Sequence, residues 1–479
     1  NPLIIPNKDK SVTVNIANSM NPEALLAKLD EEYEKITVIA PLPSNQNQQI
    51  NAYSQVDIEQ LLMTREGRRI INLQVEPSRI ICEYDRKPIK CPDSMAIRFF
   101  IGQGLEYWSP KTIKEKGCGG SETAVAMVAK EFVKYDSQSI IYAMDNQIWD
   151  GVIYRNYNTF NPQSMKCHLF ISSRIPELFN NDIPAIQKWL WVHDIHCWDR
   201  LTPEIAERID AIIVQSQWHA EHLKRAYPFL KHCEVLDFDN NAKMYDDLWT
   251  PHVFESDSQI YKLPKMVILG NAIDVERFKG FSEERIPHRF IWCSSPDRGL
   301  EEVLTMWADI KNKLPDAELK IFYGWEYFNS SLHIPEQRQF KERIKVLLNQ
   351  AGVQWCGRVG QEQLAHELKQ ADCMLYPPHS FRETYGITFL EAQAAGVLIF
   401  YRQNGALGET IGDRGIPIPM EATKEQIINT IIDTFEAKER CAKIREEAEK
   451  YAMNRDWSGQ VAKMIELYKM LEGKKQLDS

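Results

Sequence analysis

The sequence has no apolar run approaching the ~20 residues of a bilayer-spanning helix, so it offers no transmembrane candidate. Its start, Asn1-Pro2-Leu3-Ile4, lacks the charged and apolar regions of a secretory signal, and the expected location is cytoplasmic. Ten cysteines are scattered without a Cys-x-x-Cys pair or a histidine at zinc spacing, which argues against a disulfide framework or metal site and for reduced, mostly buried thiols. Basic residues are outnumbered, 57 Lys and Arg against 67 Asp and Glu. The net charge of −10 speaks against broad electrostatic binding to nucleic acid, though a local basic groove is compatible with it.

What is present fits an ordinary globular chain, with 44% hydrophobic and 26% charged residues. At 479 residues it exceeds the size of a single core, so two domains and an appendage are expected. Residues 1–95 differ in texture from the rest. Pro22 to Lys35 reads as an amphipathic helix, Pro43 to Tyr53 as an exposed loop, and Ile36–Ala40, Arg69–Val75 and Arg79–Tyr84 as strands. This makes a small α/β or mainly β unit whose function is not legible.

From Met95 onward short apolar strands alternate with helices, the pattern of parallel sheets covered on both faces. After the strand Ala96–Ile101, Gly117-Cys118-Gly119-Gly120-Ser121 opens a helix. Gly119, Gly120 and Ser121 would let a backbone approach a phosphate, or form only a tight turn with a serine cap. The spacing is not Gly-x-Gly-x-x-Gly, so no dinucleotide is indicated. Strands follow at 139–143, 168–172, 188–192 and 211–214. Beyond the third stands His193, a ligand-facing candidate by its place after a parallel strand, or a structural imidazole held by Asp194. His196, Trp198 and Asp199 are lesser candidates there, and Ser216 to His219 reads as a helix cap with packing. Residues 231–264 read as an insertion or lid, containing a weak Asp-x-Asp metal signal at Asp237 and Asp239.

The alternation restarts near 271, with strands at 289–293, 318–323, 353–355 and 373–376 and helices at 300–313, 335–351 and 361–369. The expected division is 1–95, 96–270, 271–455 and a last helix in 456–479, which could return to the first alternating half. Arg298, at the entry to a helix after Ser294 and Ser295, could pair with a diphosphate through its planar fork, or simply with Asp297 or Glu301. Arg358 sits among glycines before another helix. The stretch Phe381 to Gly396 then places two acids around a strand-to-helix loop. Within one helix, Glu383 and Glu391 would diverge by roughly 80° and about 12 Å. With Glu383 in the loop and Glu391 a turn inside the helix, both can face a ligand over the helix N-terminus.

In order along the chain, the Gly-Gly-Ser-Glu loop at 119–122, His193-Asp194, Asn271 to Phe278, Ser294 to Gly299 and the Glu-x7-Glu pair resemble retaining glycosyltransferases of the family-4, group 1 type. The resemblance covers roughly 96–472. It implies a GT-B architecture, two Rossmann-like domains facing a cleft, and a metal-independent enzyme without cofactor. The implied donor is a nucleoside-diphosphate sugar. Glu391 would accept from ribose hydroxyls and Glu383 would contact the sugar. Backbone N–H groups of Thr384, Tyr385, Gly386 and Ile387 would hold sugar or phosphate oxygens. His193 would lie near the sugar, the 119–121 loop near the diphosphate, and Arg298 would stand where the family has a phosphate-binding lysine. The family's companion arginine is Cys293 here, so Ser294, Ser295 or Arg358 would share the charge. The acceptor would be a hydroxyl of a glycan or protein, less readily a modified DNA base. A nucleotide-sugar binder without turnover, an epimerase and a phosphorylase are the competing classes.

Overall fold

The computed structural model describes residues 3–6, 11–16, 22, 25, 26, 29, 33, 35–41, 69–75 and 79–85, and everything from 95 on except 105, 136, 165, 240–252, 257–258, 281–283, 326–328, 330–331, 379 and 478–479. The expected loop at 43–53, most of the expected helix at 22–35 and the centre of the expected insertion at 231–264 lie outside the described residues. The chain forms two compact units, 1–103 with 126–171 and 181–186, and 104–125 with 172–180 and 187–479.

In the first unit, the strands β1 (Leu3–Pro6), β2 (Ser11–Asn15), β3 (Lys35–Pro41), β4 (Arg69–Val75), β5 (Arg79–Asp85), β6 (Ala96–Phe100), β7 (Gln138–Ala143), β8 (Gln147–Trp149) and β9 (Val152–Asn156) lie in the order β1-β2-β3-β5-β4-β8-β9-β7-β6. Leu73 of β4 stands opposite Ile148 of β8, so β1 to β5 continue the sheet that holds β6 to β9. Alternate residues of the early strands, Val12, Val14, Ile36, Val38 and Ala40, are fully buried, as expected where one sheet face meets a core.

The second unit carries the helices α1 (Pro110–Lys116) and the start of α2 (Gly120–Val133). It also holds most of β11 (Ala185–Trp191), with β12 (Ala211–Val214), β13 (Val235–Asp237) and β16 (Lys265–Ile268), ordered β11-β12-β16-β13 and parallel throughout. β10 (Cys167–Ser173) ends in it, and the hairpin of β14 (Val253–Ser256) and β15 (Gln259–Lys262) precedes β16. The helix α3 (Gln217–Ala226) follows β12, its Ser216 cap accepting from the His219 N–H at 3.1 Å as expected.

A six-stranded parallel sheet occupies the rest of this unit, formed by β17 (Arg289–Trp292), β18 (Glu318–Ile321), β19 (Val353–Trp355), β20 (Cys373–Tyr376), β21 (Leu398–Arg402) and β22 (Ile416–Ile418). Their order, β19-β18-β17-β20-β21-β22, reverses direction between β17 and β20. In sheets of this kind the crevice beyond the strand ends at that reversal is where ligands bind. The sheet is covered by α4 (Leu300–Lys313), α5 (Pro335–Leu347), α6 (Gln361–Gln370), α7 (Ile387–Ala394), α8 (Lys424–Glu436) and α9 (Lys438–Met453). The last helix, α10 (Trp457–Leu477), has partners for its apolar face. Val461, Met464 and Leu467 are buried, Gln187 donates to the Tyr468 carbonyl at 2.6 Å, and Gln460 donates to the Gly270 carbonyl at 2.9 Å.

Candidate active site

The loops leaving β17 and β20 meet at the reversal point and bring Arg298 and Glu383 together. Arg298 Nη1 donates to Glu383 Oε1 at 3.2 Å, and the Tyr376 phenol donates to the same oxygen at 2.7 Å. The Arg298 guanidinium lies 4.3 Å from the centroid of Phe381, and neither Asp297 nor Glu301 is its partner among the described residues. Glu383 is 6% exposed, and its backbone is clamped from behind, its carbonyl accepting from the Ala406 N–H at 2.8 Å. Burial and the adjacent carboxylate push the Tyr376 pKa well up, so the phenol remains a donor at any physiological pH.

Three residues on, Gly386 has φ +84, and a Cβ there would collide with the Phe389 ring. Only glycine makes this turn at low cost. Helix α7 starts directly after it without a side-chain cap, leaving its first N–H groups to an outside acceptor. Glu391 sits one turn inside, buried, with Oε1 accepting from Arg277 Nη2 at 2.8 Å. The two acids thus stand in loop and helix as their spacing suggests.

The opposite wall comes from loops after the parallel strands β10, β11 and β12. Thr384 Oγ1 donates to the His193 carbonyl at 2.8 Å, and Ser216 donates to the Thr384 carbonyl at 2.9 Å. These bonds hold the 383–387 loop against His193. The imidazole is not held by Asp194. Instead Arg174 takes that carboxylate with two bonds of 2.8 Å, and its Nη1 reaches Ser121 at 3.1 Å and Glu122 at 3.3 Å. Ser121 in turn donates to Glu122 at 2.8 Å. A Cβ at Gly119 would displace the Glu122 carboxylate, and Gly120 packs near Ile387 of α7. The glycine loop therefore adjoins the α7 entrance, on a buried ionic network.

His193 Nε2 is buried without a hydrogen-bond partner among the described residues, and burial followed by the Arg174 charge pushes its pKa from 6.5 down to about 3. Burial does the same to His219, again to about 3. Both imidazoles are neutral in the folded protein near pH 7. Between the two values the unfolded chain binds protons that the folded chain refuses, so stability is intact above pH 6.5 and falls as pH drops, by about 1.4 kcal/mol per pH unit for each group. Urea midpoints at pH 7 and pH 5 check this, and His219→Gln should flatten the dependence by one group's share.

The remaining candidates are divided. The Ser294 hydroxyl lies beside the Tyr376 phenol, and Ser295 Oγ is buried with no partner among the described residues. Arg358 is tied to Glu106 at 2.6 Å and lies over the Tyr323 ring, so its charge is already compensated. Cys293 is a thiol whose pKa burial pushes well up, and it supplies no positive charge. Asp239 is engaged by Arg455 at 2.8 Å, Lys463 at 2.9 Å and the Gly270 N–H at 2.9 Å, which accounts for the Asp-x-Asp pair as a structural clasp. No cluster of metal-ligating side chains occurs among the described residues.

Tyr376, Arg277 and Arg174 are site residues that the sequence does not single out. Tyr376 is the last residue of the expected strand 373–376. Arg277 lies within the Asn271 to Phe278 stretch, but nothing local ties it to Glu391, 114 positions away. Arg174 has φ +70, a conformation no sequence signal announces for arginine.

Residues 293–451 match the family described as glycosyl transferases group 1. Among solved structures, the chain is similar to sucrose-phosphate synthase from Thermosynechococcus elongatus, at 12% identity and a TM-score of 0.58, covering 79% of this chain and 99% of that one. A glycosyltransferase from Rickettsia africae ESF-5 matches at 16% identity and 0.54, with 79% and 99% covered. Anabaena HepE in complex with UDP and glucose matches at 14% and 0.53, with 78% and 100% covered. No curated protein sequence matches significantly. At these identities the structural likeness speaks for the fold, which is α/β with parallel sheets.

Proposed function

We propose that this chain, whose residues 293–451 match the glycosyl transferases group 1 family, is a GT-B glycosyltransferase that moves a sugar from a nucleoside-diphosphate sugar to an acceptor hydroxyl with retention of configuration. The observation that carries this reading is the meeting of Arg298, Glu383 and the uncapped start of α7 at the reversal point of the second sheet. That the similar Anabaena protein is bound to UDP and glucose supports a nucleotide-sugar donor.

In the reaction, the bond between the anomeric carbon and the diphosphate oxygen breaks, and the bond to the acceptor oxygen forms on the same face. The acceptor proton passes to the departing phosphate oxygen. Negative charge grows on the diphosphate as the sugar becomes oxocarbenium-like, and donors already fixed in place stabilise it without reorganisation. Arg298 and the first N–H groups of α7 are such donors, with Ser295 Oγ and the 119–121 loop as neutral ones. They serve without a metal ion. Glu383, with Oε1 occupied by Tyr376 and Arg298, offers Oε2 to sugar hydroxyls. The neutral His193 accepts or donates a hydrogen bond to the sugar without adding charge.

Glu391 keeps Oε2 for the ribose hydroxyls while Arg277 holds Oε1. A bond of this kind to a charged group is worth about 1.5–3 kcal/mol. Glu391→Gln should therefore raise the donor KM roughly ten- to hundredfold with a smaller change in kcat, as read from initial rates. The reading itself is tested by incubating the protein with a panel of nucleotide sugars and following nucleoside-diphosphate release. Release from at least one donor is expected. Tight binding without turnover would instead make the chain a nucleotide-sugar-binding module, a reading that the neutral Cys293 favours.

A further inference from the structure

The loop after β11 contains an aromatic strip with no part in the chemistry above. Trp198 is 58% exposed, among the largest apolar exposures of the described residues, and its backbone is left-handed, with φ +51. Such a conformation in a bulky residue is costly and persists only where its surroundings impose it. Here the Tyr227 hydroxyl accepts from the Cys197 N–H at 2.6 Å and donates to the Trp198 carbonyl at 2.7 Å, while the Trp198 N–H reaches His196 Nδ1 at 3.3 Å. The backbone that presents the exposed indole is thereby fixed.

From Trp198 the rings continue in a row. Its centroid is 4.9 Å from His196, edge to face, and His196 is 6.5 Å from His222, nearly parallel. His222 stacks on Trp218 at 5.0 Å and 14°. Arg200 lies 5.2 Å from the Trp198 ring, and Arg382, next to Glu383 in the chain, is close enough to His222 to act on its charge. The strip is also continuous with the donor loop through the adjoining Ser216, which donates to the Thr384 carbonyl at 2.9 Å.

We propose that this strip is the acceptor platform and that the acceptor is a saccharide whose ring lies on Trp198, an assignment resting on the glycosyltransferase reading for its role but not for its binding. A pyranose has an apolar C–H face suited to an indole and a rim of hydroxyls suited to imidazole and guanidinium groups, and this strip alternates the two. A hydroxyl on an extended peptide would present neither face. A nucleic-acid strand would also stack, but it needs a cationic track for its phosphates. Here Asp199, Glu221 and Glu409 accompany the arginines, Glu409 taking the Gln217 and Trp218 N–H groups at 2.8 and 2.7 Å.

The test measures binding by isothermal titration, independent of turnover, against neutral oligosaccharides, serine- and threonine-containing peptides and a single-stranded oligonucleotide. Wild-type protein should bind an oligosaccharide, and Trp198→Ala should weaken that binding at least about tenfold, the size expected of a stacked aromatic anchor. Trp198→Phe should recover most of it, and Tyr135→Ala, at another exposed aromatic, should match wild type. The Tyr227 bonds go to backbone atoms and survive both tryptophan substitutions. Where donor cleavage occurs, the acceptor KM should rise in Trp198→Ala by the same factor while kcat moves far less. No oligosaccharide binding by wild type, preference for the peptide or oligonucleotide, or a Trp198→Ala affinity within twofold would overturn the proposal. Oligosaccharide binding that depends on Trp198 without any donor cleavage would uphold it and discard only the transfer reaction.

Discussion

Glu383→Gln should lower kcat at least ~100-fold, the effect typical of removing one preorganised electrostatic contact. Glutamine has the size and shape of glutamate, and its carbonyl oxygen can still accept the Tyr376 hydroxyl, so the buried site should remain packed. What disappears is the charge that holds Arg298 at 3.2 Å and that would face the developing oxocarbenium. Because that interaction is strongest when the sugar carries positive charge, the donor KM should change much less than kcat. Single-turnover rates with saturating donor would show it, alongside circular dichroism to confirm the fold. A variant with wild-type kcat would remove Glu383 from the reaction.

Arg298→Ala should cost more, about 10³-fold in kcat/KM, because two functions are lost together. The diphosphate loses its principal cation, with Cys293 unable to replace it and Arg358 already committed to Glu106. Glu383 also loses its counter-charge and retains only the Tyr376 phenol. Arg298→Lys restores a point charge without the planar fork and should recover roughly a tenth to a hundredth of wild-type kcat/KM. If alanine and lysine variants are equally slow, geometry rather than charge dominates. If both are nearly wild type, the diphosphate is held elsewhere.

Local structure was widely legible. The helix at 300–313 and the strands at 69–75, 353–355 and 373–376 match the sequence expectation to the residue, each with Gly or Pro within two residues of an end, and the strand at 211–214 matches as a bare apolar run. Loop placement of Glu383 and helical placement of Glu391 follow from the apolar strand at 373–376 and the helix expected after it. Strand order does not, since the reversal between β17 and β20 depends on crossovers that no single segment encodes. The hairpin of β8 and β9 is not among the expected strands, although Asp150-Gly151 between them is a hairpin turn signal. Asp194 stands beside His193 in the sequence, yet Arg174, 20 residues earlier, takes its carboxylate because both follow parallel strands that end side by side. Ionic partners of this kind belong to the fold and are invisible to local pattern.

The most direct test is the anomeric outcome. Proton NMR should follow the nucleotide-sugar donor that the protein cleaves, with the acceptor it uses or with water, before the product's anomers equilibrate. A product that keeps the donor's anomeric configuration, formed together with one nucleoside diphosphate, is the predicted result. A product of inverted configuration, or failure of the folded protein to cleave any donor in a broad panel, would contradict the account.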